Sequence, residues 1–449
     1  MSDSRANAAA LPTIRLTDTD RREYANIVDE SFRETLALYE DFAYRRARQM
    51  DASRWKLVRT RESMRVYRAR SSSNSSDGQL SAGSSPSLSS TGSGHPSIRT
   101  ESSLDDDDPL FTEVEIGPGS SLSANTKVPV LVSTGLVPGS LDDMLYGTFA
   151  DDALTILRRS MYVKDGMEDA VVLATLDGPS EPDPYNSLAV VWMLRSSTPM
   201  IRRRDFLVLM KHGTATTSTG ERIGVGVAQS VSHPDLPELR ERQIVRGVVS
   251  YCIIYRQLAD QQVETFIQIV IDPRGTAMTY FVTQETVNAL LGMSNPIECS
   301  LRKKLVWFLR RARRQRAQTD AAHGESSSSS SSSKSQALAA SRSGSPSTAS
   351  SGPTSPSNCV HCAKPINALL GAQGTRCSIC QQWACGRCTV AKSLAVRTPP
   401  DARSPLATKP YNFCLPCFVR AKAHSALEIQ LDDLRQKRIG VATSASTPA

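Results

Sequence analysis

The sequence has little that would mark an enzyme, a membrane-spanning protein or a secreted one. Its 449 residues include only six histidines, and no Gly-x-Ser-x-Gly elbow, P-loop, Rossmann glycine run or His-Glu-x-x-His helix accompanies them. No apolar run approaches the roughly 18 residues that a membrane span needs. The N-terminus, MSDSRANAAALP, lacks the apolar segment of a signal peptide. We therefore expect a non-enzymatic protein of the cytoplasm.

Acidic residues are nearly missing from one stretch of the chain. Lys and Arg outnumber Asp and Glu by 53 to 45 overall, for a net charge of +8. Between Asn358 and Lys422 the sequence has nine Lys or Arg residues and the single acid Asp401. This excess favours an anionic membrane surface as a partner. It is too sparse, and too poor in stacking aromatic residues, for us to expect nucleic-acid binding.

Eight of the ten cysteines form four Cys-x-x-Cys pairs near the C-terminus: Cys359/Cys362, Cys377/Cys380, Cys385/Cys388 and Cys414/Cys417. Such a pair places two thiolates on one side of a tight turn, at the separation that tetrahedral Zn²⁺ accepts. Four pairs supply two closed sites of four thiolates, so we predict two zinc ions with a structural role. A disulfide-rich module is the alternative, and the lack of a secretory signal argues against it.

Two serine-rich segments divide the chain. Residues 71–108 and 319–357 are too poor in apolar side chains to offset the entropy cost of ordering them, so we predict that both are disordered. The first is predicted to be an insert within one domain, 20–316. The second is predicted to be a linker to a small cysteine-rich module, 358–422. We also expect a disordered N-terminus, 1–19, and a tail, 423–449, that is partly helical or disordered.

Hydrophobic periodicity predicts a helix over Asp20–Tyr44, capped by Asp20 with Glu23. Short strands are expected at Trp55 and Met64, and a helical stretch over 141–161. Seven more strands are predicted after the insert: Val128–Leu136, Ala170–Leu176, Ser187–Leu194, Arg204–Lys211, Arg222–Val231, Ile244–Tyr255 and Glu264–Ile271.

Helical sequence from Thr279 to Arg316, broken near Asn295-Pro296, closes the domain. A helix, a run of antiparallel strands and a long C-terminal helix are typical of an α+β helix-grip fold. In that fold a curved antiparallel sheet and a helix enclose a cavity.

Several short motifs occur in the order of a START (steroidogenic-acute-regulatory-related lipid-transfer) domain. They are Trp55-Lys-Leu, Arg203-Arg204-Asp205-Phe206, Ser230-Val231-Ser232-His233-Pro234, Val245-Arg246-Gly247 and Ile271-Asp272-Pro273-Arg274-Gly275. The stretch 20–316, without its insert, resembles that family. The resemblance implies a hydrophobic tunnel for one lipid or sterol, closed by the C-terminal helix. A helix-grip domain with a collapsed core and no ligand is the alternative.

The polar residues of these motifs are interpreted as structural. We expect Arg203, Arg204 and Asp205 to form a solvated strand entry with one residue in an ion pair. Arg246 and Asp272 are expected to be fixed structural partners.

The C-terminal helix is strongly basic. Its cations are Arg302, Lys303, Lys304, Arg310, Arg311, Arg313, Arg314 and Arg316. The plain interpretation is a lid helix whose apolar face packs on the sheet while its cations face water. A sharper one is that Arg310, Arg311, Arg313 and Arg314 contact anionic phospholipid. Nuclear import or nucleic-acid contact is a third interpretation.

The cysteine spacing C-x2-C-x14-C-x2-C-x4-C-x2-C-x25-C-x2-C resembles the FYVE zinc finger, a family that binds its two zinc ions in cross-brace. The resemblance implies that Cys359, Cys362, Cys385 and Cys388 hold one ion. It implies that Cys377, Cys380, Cys414 and Cys417 hold the other, and that the module docks on endosomal or other membranes.

The residues between the cysteines depart from the FYVE pattern. Only Arg376 stands for the usual basic stretch before the third cysteine, no Trp-x-x-Asp precedes the first, and the usual Arg-Val-Cys is Asn412-Phe413-Cys414. Because one Arg cannot replace a set of cations, this argues against recognition of phosphatidylinositol-3-phosphate. Leu369 and Leu370 either insert into a bilayer or cover the small core. A RING-type ubiquitin ligase is the nearest rival, but its middle-pair His ligand is missing. Because eight cysteines already complete two sites, His361 is expected on the surface.

These observations together predict a lipid-binding protein: a START-like tunnel for a lipid or sterol, with a zinc module that docks on a membrane or a protein partner. The alternative is an adaptor that transfers no lipid. Its zinc module and serine tracts, with Ser85, Ser345 and Ser355 before prolines as phosphorylation sites, would recruit proteins.

Overall fold

The computed structural model describes residues 11–12, 14–70, 128–196, 202–275, 279–292, 295–325, 358–366, 374–399, 402 and 404–445. The predicted insert 71–108 lies outside these ranges. The described chain forms one large sheet with helices on both faces, which we call the sheet domain (11–325), followed by a small unit built around the cysteines. No helix among the described residues is long and apolar enough to cross a membrane.

The first helix, α1, spans Asp18–Glu40 and continues into a π-helical turn, Asp41–Arg45. Its capping box joins Thr17 to Asp20, so the predicted pairing of Asp20 with Glu23 is wrong. The Asp20 N–H donates to the Thr17 hydroxyl at 3.1 Å, and the Thr17 N–H donates to the Asp20 carboxylate at 2.7 Å. Thr17 is the cap because its extended backbone leaves the hydroxyl facing the free N–H groups of the first turn.

Ten strands form the sheet: β1 (Trp55–Arg61), β2 (Met64–Ala69), β3 (Leu131–Pro138), β4 (Met167–Asp177), β5 (Ser187–Arg195), β6 (Arg204–Thr216), β7 (Arg222–Ser230), β8 (Val245–Arg246), β9 (Val248–Ala259) and β10 (Gln262–Asp272). Their order is β1-β2-β3-β10-β9-β7-β6-β5-β4, with every neighbour antiparallel, and β8 pairs in parallel with β6. All nine predicted strands are confirmed. The predicted strand 244–255 divides at Gly247, where a side chain would overlap the ring of Phe206.

Alternate residues of the central strands point to opposite faces of the sheet. One face, with Trp192, Leu207 and Ile254, packs against α1, and we call it the α1 face. The other carries Val191 and Val208 and is covered by four helices: α2 (Leu141–Thr148), α3 (Ala153–Val163), α4 (Thr279–Leu291) and α5 (Asn295–Glu325). We call it the α5 face. The α+β class, with an antiparallel sheet and a long C-terminal helix, is confirmed.

The helices on the α5 face differ from prediction in two ways. The stretch 141–161 is two helices, because Asp152 caps a new one by accepting the Thr155 N–H at 2.8 Å. The break near Asn295 is confirmed, but α5 runs to Glu325, past its predicted end at Arg316. The helix therefore includes residues 319–325, which were predicted to begin the linker.

The long helix α5 packs mainly on α2 and α3, whereas the sequence predicted packing on the sheet itself. Gly147 of α2 makes the approach possible. A Cβ atom there would overlap the carbonyl oxygen of Pro296, in the first turn of α5. The two helices therefore meet backbone to backbone at this point.

The small unit has two parts. The cysteine module (described residues within 358–424) contains β11 (Thr375–Arg376), β12 (Trp383–Ala384), β13 (Thr389–Arg397), β14 (Leu406–Cys414) and α6 (Leu415–Ala423). Strand β11 pairs with β12, and β13 with β14, both antiparallel. The chain then forms α7 (Ala426–Ala445), a 20-residue helix where only partial helix was expected.

Both parts of the small unit pack on the sheet domain, whereas the sequence predicted a module held on a flexible linker. Helix α7 lies against α2 and α5, and Gln430 Nε2 donates to the Pro184 carbonyl at 2.7 Å. At the other end, the Ala395 N–H donates to the Tyr162 hydroxyl at 2.7 Å, and both residues share a small apolar cluster with Cys299. The linker therefore joins two units that are already in contact.

Candidate metal centres and the helix interface

The eight paired cysteines lie in two groups of four: Cys359, Cys362, Cys385 and Cys388, and Cys377, Cys380, Cys414 and Cys417. Within each group the four sulfur atoms lie within 4.8 Å of one another. This is the cross-brace grouping that the FYVE resemblance implied, in which pairs one and three share a site and pairs two and four share another.

The sulfur separations fit a tetrahedral metal. Cys362 Sγ and Cys385 Sγ are 3.6 Å apart, and Cys380 Sγ and Cys414 Sγ are 3.7 Å apart. Four thiolates at the Zn–S distance of ~2.3 Å lie about 3.8 Å from one another, whereas a disulfide brings its sulfurs to about 2.0 Å. All ten cysteines are free. The donor set and its spacing can therefore hold Zn²⁺ at both sites.

Two left-handed residues shape the turns of the first and second cysteine pairs. Ala363 follows Cys362 with a φ of 55°, and Gln381 follows Cys380 with a φ of 65°. Each donates its N–H back to the carbonyl of the first cysteine of its pair at 2.9 Å. This closes the turn with both thiols on one side. Neither residue is a Gly, so a left-handed position could not be predicted at either place.

Each group contains at least one thiol whose pKa is lowered. The Cys417 thiol hydrogen bonds to the Cys377 sulfur and, together with backbone N–H groups, lowers the pKa of Cys377 to about 4. Burial acts to raise the pKa of Cys359, but backbone N–H groups, that of Cys385 foremost, outweigh it and lower the pKa to about 6. Zinc binds thiolates rather than thiols, so each group contains a ligand that is ready for metal at neutral pH.

The residues predicted for headgroup and bilayer contact are only partly described. Arg376 is exposed on β11, and its Nε donates to the Gln381 carbonyl at 2.9 Å, which ties it to the second turn. Leu369 and Leu370 lie outside the described residues. His361 is exposed, as expected.

Two lysines of α5 are buried, although the sequence placed both on a stripe facing water. Lys303 donates to the carbonyls of Tyr146 and Phe149 at 2.6 and 2.8 Å. Lys304, 2% exposed, donates to the His424 carbonyl at 2.7 Å and pairs with Asp143 at 2.6 Å. The carbonyls belong to the C-terminal ends of α2 and α6, where helices leave acceptors unpaired.

Aromatic residues complete the contact between α5 and the small unit. Trp307 donates from Nε1 to the Asp432 carboxylate on α7 at 2.6 Å, and the His424 ring lies 5.4 Å from its ring. The Arg420 guanidinium lies 5.2 Å from the Phe308 ring centre. The outward face of α5 is therefore an interface.

The four arginines predicted to touch phospholipid are all exposed: Arg310, Arg311, Arg313 and Arg314. Arg311 lies 5.2 Å above the Trp307 ring, and Arg314 donates to Gln436 of α7 at 2.9 Å. Arg310 lines a cleft beside α7.

The polar motif at the start of β6 is buried, so a solvated strand entry is wrong for two of its three residues. Asp205 is 0% exposed and accepts from Trp192 Nε1 at 2.8 Å and from Arg246 at 2.9 Å. Arg204 donates to the carbonyl of Pro273 at 3.1 Å. Two of the three residues each form an ion pair, where one was expected: Arg203 with Glu168 at 3.7 Å, and Asp205 with Arg246 at 2.9 Å. The second is a fixed contact because burial makes an unpaired carboxylate costly.

The α5 face contains both apolar side chains and polar atoms that are not fully packed. Val172, Tyr251 and Ile271 are only partly buried beneath the helices. Ser133 Oγ and Arg159 Nε are buried there with no hydrogen-bond partner among the described residues. A filled core leaves few such atoms, since unpaired buried polar groups are unfavourable.

Comparison with known proteins finds similar solved structures but no family. No protein-family model matches the chain, and no curated protein matches it. Among solved structures, human StAR-related lipid transfer protein 5 aligns over 61% of this chain and 97% of its own, at 14% identity and a TM-score of 0.36. Human STARD10 aligns over 64% and 82%, at 12% identity and a TM-score of 0.34. A STAR-related lipid transfer protein of Xanthomonas axonopodis aligns over 54% and 96%, at 13% identity and a TM-score of 0.31. At such TM-scores the alignments carry no argument about function.

Proposed function

We propose that the sheet domain is a START-like lipid-binding unit. One lipid or sterol lies between the α5 face and the helices that cover it, and the protein shields or transfers this lipid without catalysis. The partial burial of Val172, Tyr251 and Ile271 carries the proposal, because a ligand takes the place of missing core side chains. The unpaired atoms Ser133 Oγ and Arg159 Nε supply polar contacts for the polar end of such a ligand.

We propose that each cysteine group holds one structural Zn²⁺. Four thiolates close each site, so the metal supplies folding energy rather than a reactive water. Because the two groups interleave along the chain, the ions link β11–β14 and the start of α6 into one module. That module then packs on α5. FYVE-like docking on endosomal or other membranes is part of the proposal, without specific recognition of phosphatidylinositol-3-phosphate.

The membrane-facing residues of the proposal are Arg310, Arg311, Arg313 and Arg314 of α5 and Arg376, Leu369 and Leu370 of the cysteine module. Exposed cations near an anionic bilayer contribute about 1 kcal/mol each. The second candidate, an adaptor that recruits proteins, is favoured by Leu415 and Val419. These lie one turn apart on α6 and are 39% and 59% exposed.

A pair of valines on β4 tests the lipid proposal. Val172→Trp fills the α5 face, whereas Val171→Trp places the same bulk on the α1 face of the same strand. After incubation with liposomes, native mass spectrometry should show one lipid bound to the wild type and to Val171→Trp, and none to Val172→Trp. A folded wild type that takes up no lipid would contradict the proposal and leave the adaptor.

A further inference from the structure

A cleft of about 320 Å³ lies where the sheet domain, the cysteine module and α7 meet. Three arginines from three separate elements line it: Arg158 of α3, Arg310 of α5 and Arg397 of β13. The rest of the lining includes apolar side chains: Phe149, Leu154, Val306, Trp307 and Leu434. Cationic groups and an apolar wall thus face one space.

Arg158 is the buried member of the set. It is 8% exposed, and its Nε is enclosed without a hydrogen-bond partner among the described residues. Burial, and then the charges of Arg310 and Arg397 among other groups, lower the pKa of Arg158. A buried guanidinium beside two like charges is unfavourable unless an anion joins it.

Three aspartates also line the cleft: Asp151, Asp152 and Asp433. Lys437 forms ion pairs with two of them, at 2.8 Å from Asp151 and 3.2 Å from Asp152. Burial raises the pKa of the third, Asp433, against the opposing charge of Arg310. Two of the three aspartates therefore already share a cation, and burial opposes the charged form of Asp433.

We propose that this cleft binds a phosphate monoester carried on a small organic body, with Arg158 at the floor and Arg310 and Arg397 at the entrance. Each guanidinium offers a planar fork of donors that matches two phosphate oxygens, and the apolar wall packs the carbon body of the ligand. The volume falls at the lower end of the roughly 300–1,000 Å³ of small-ligand sites. The source is either a soluble phosphate ester or a lipid headgroup.

A ligand in the cleft would connect the sheet domain to the cysteine module, because Arg158 and Arg310 belong to the first and Arg397 to the second. Binding of such a bridge stabilises the folded protein by mass action. The inference is independent of the lipid in the α5 face, since the two spaces are lined by different residues.

Calorimetric titration of the full-length, zinc-loaded protein tests the site. The probes are inorganic phosphate, inositol trisphosphate, and phosphatidylcholine vesicles with or without phosphatidylinositol phosphate. We expect inositol trisphosphate to bind and to raise the melting temperature. Arg310→Gln and Arg397→Gln should each weaken binding about tenfold, the effect of one lost charge-assisted hydrogen bond. Arg158→Met should abolish it.

Arg65→Gln is the matched control, because Arg65 is an exposed arginine on β2 that does not line the cleft. It should bind as the wild type does. If Arg158→Met does not fold, the two entrance variants decide. Vesicle binding that inositol trisphosphate displaces identifies a lipid headgroup, and binding of the soluble ester alone identifies a free metabolite. The proposal is overturned if no probe binds, or if Arg65→Gln weakens binding as much as Arg310→Gln.

Discussion

Lys304 of α5 donates a 2.7 Å hydrogen bond to the backbone carbonyl of His424, where α6 ends. The same ammonium group pairs with Asp143 of α2 at 2.6 Å. One buried cation thus joins the sheet domain to the cysteine module. The cations of α5 therefore lie in two environments. Its lysines form buried contacts, and its arginines face water and α7.

Lys304→Met should loosen the cysteine module without unfolding the sheet. Breaking a buried ion pair from one side costs about 3 kcal/mol, because Asp143 is left with hydroxyl donors alone. We expect faster hydrogen exchange in α6 and α7, with zinc content unchanged. Lys409→Met, at an exposed position of β14, is the control and should exchange as the wild type does. Unaltered exchange in α6 of Lys304→Met would show that the contact does not hold the module.

Substitution of one cysteine should remove the zinc ion of its own group and leave the other ion bound. Cys385→Ser and Cys414→Ser each remove a ligand from a different group, so each protein should contain one zinc instead of two. Cys252→Ala is the control, because Cys252 is a buried cysteine of β9 that belongs to neither group. It should retain two ions by elemental analysis.

Removal of both ions by a chelator should also change α5. The outward face of this helix contacts the module through Trp307 and Phe308. Loss of the folded module should therefore speed hydrogen exchange in 300–316. If α5 stays protected after both ions leave, α7 alone suffices to cover it.

Patterns local in sequence predicted much of the structure. The alternation of apolar residues predicted the strands, because one face of each strand packs against a layer of helices. The four Cys-x-x-Cys pairs indicated the metal ligands, and the FYVE resemblance implied their division into two groups. Pro296 marked the break between α4 and α5. The strand pattern, the Cys-x-x-Cys turns and the helix break could be predicted because each depends on residues within one short segment of the chain.

The interface between α5 and the small unit could not be predicted, because the hydrogen-bond acceptors of its lysines come from residues distant in sequence. Nothing near Lys304 in sequence shows that the end of α6, 120 residues later, supplies a carbonyl for it. The same holds for Asp205, whose burial depends on Trp192 and Arg246. The end of α5 was placed too early because a serine-rich composition follows it, although RAQTDAAHGE is itself rich in helix-forming residues.

Ala363→Gly should stabilise the cysteine module. An L-residue at a φ of 55° costs roughly 1–2 kcal/mol, which Gly avoids at the expense of a more flexible unfolded chain. The net gain should be up to about 1 kcal/mol in the free energy of unfolding. Ala391→Gly, at an exposed position of β13, is the control and should destabilise the protein by about 0.5–1 kcal/mol. Equal destabilisation by both would show that the left-handed turn stores no strain.

His212 should make the sheet domain sensitive to acid. It is buried on β6 beside Phe149, with Nδ1 3.3 Å from the Ser187 hydroxyl. Burial, and then the charges of Arg159 and Lys303, lower its pKa to about 3. The unfolded chain takes up this proton near pH 6.5.

Its contribution to stability is therefore complete above about pH 6.5 and falls by up to about 1.4 kcal/mol per pH unit below that, toward pH 3. His212→Phe keeps the ring packing and removes the titration. Between about pH 6.5 and pH 5 its free energy of unfolding should fall less steeply than that of the wild type. Denaturant unfolding of both proteins measures the slopes, and zinc release at low pH cancels in their difference. Parallel pH profiles would mean that folded His212 is protonated as readily as in the unfolded chain.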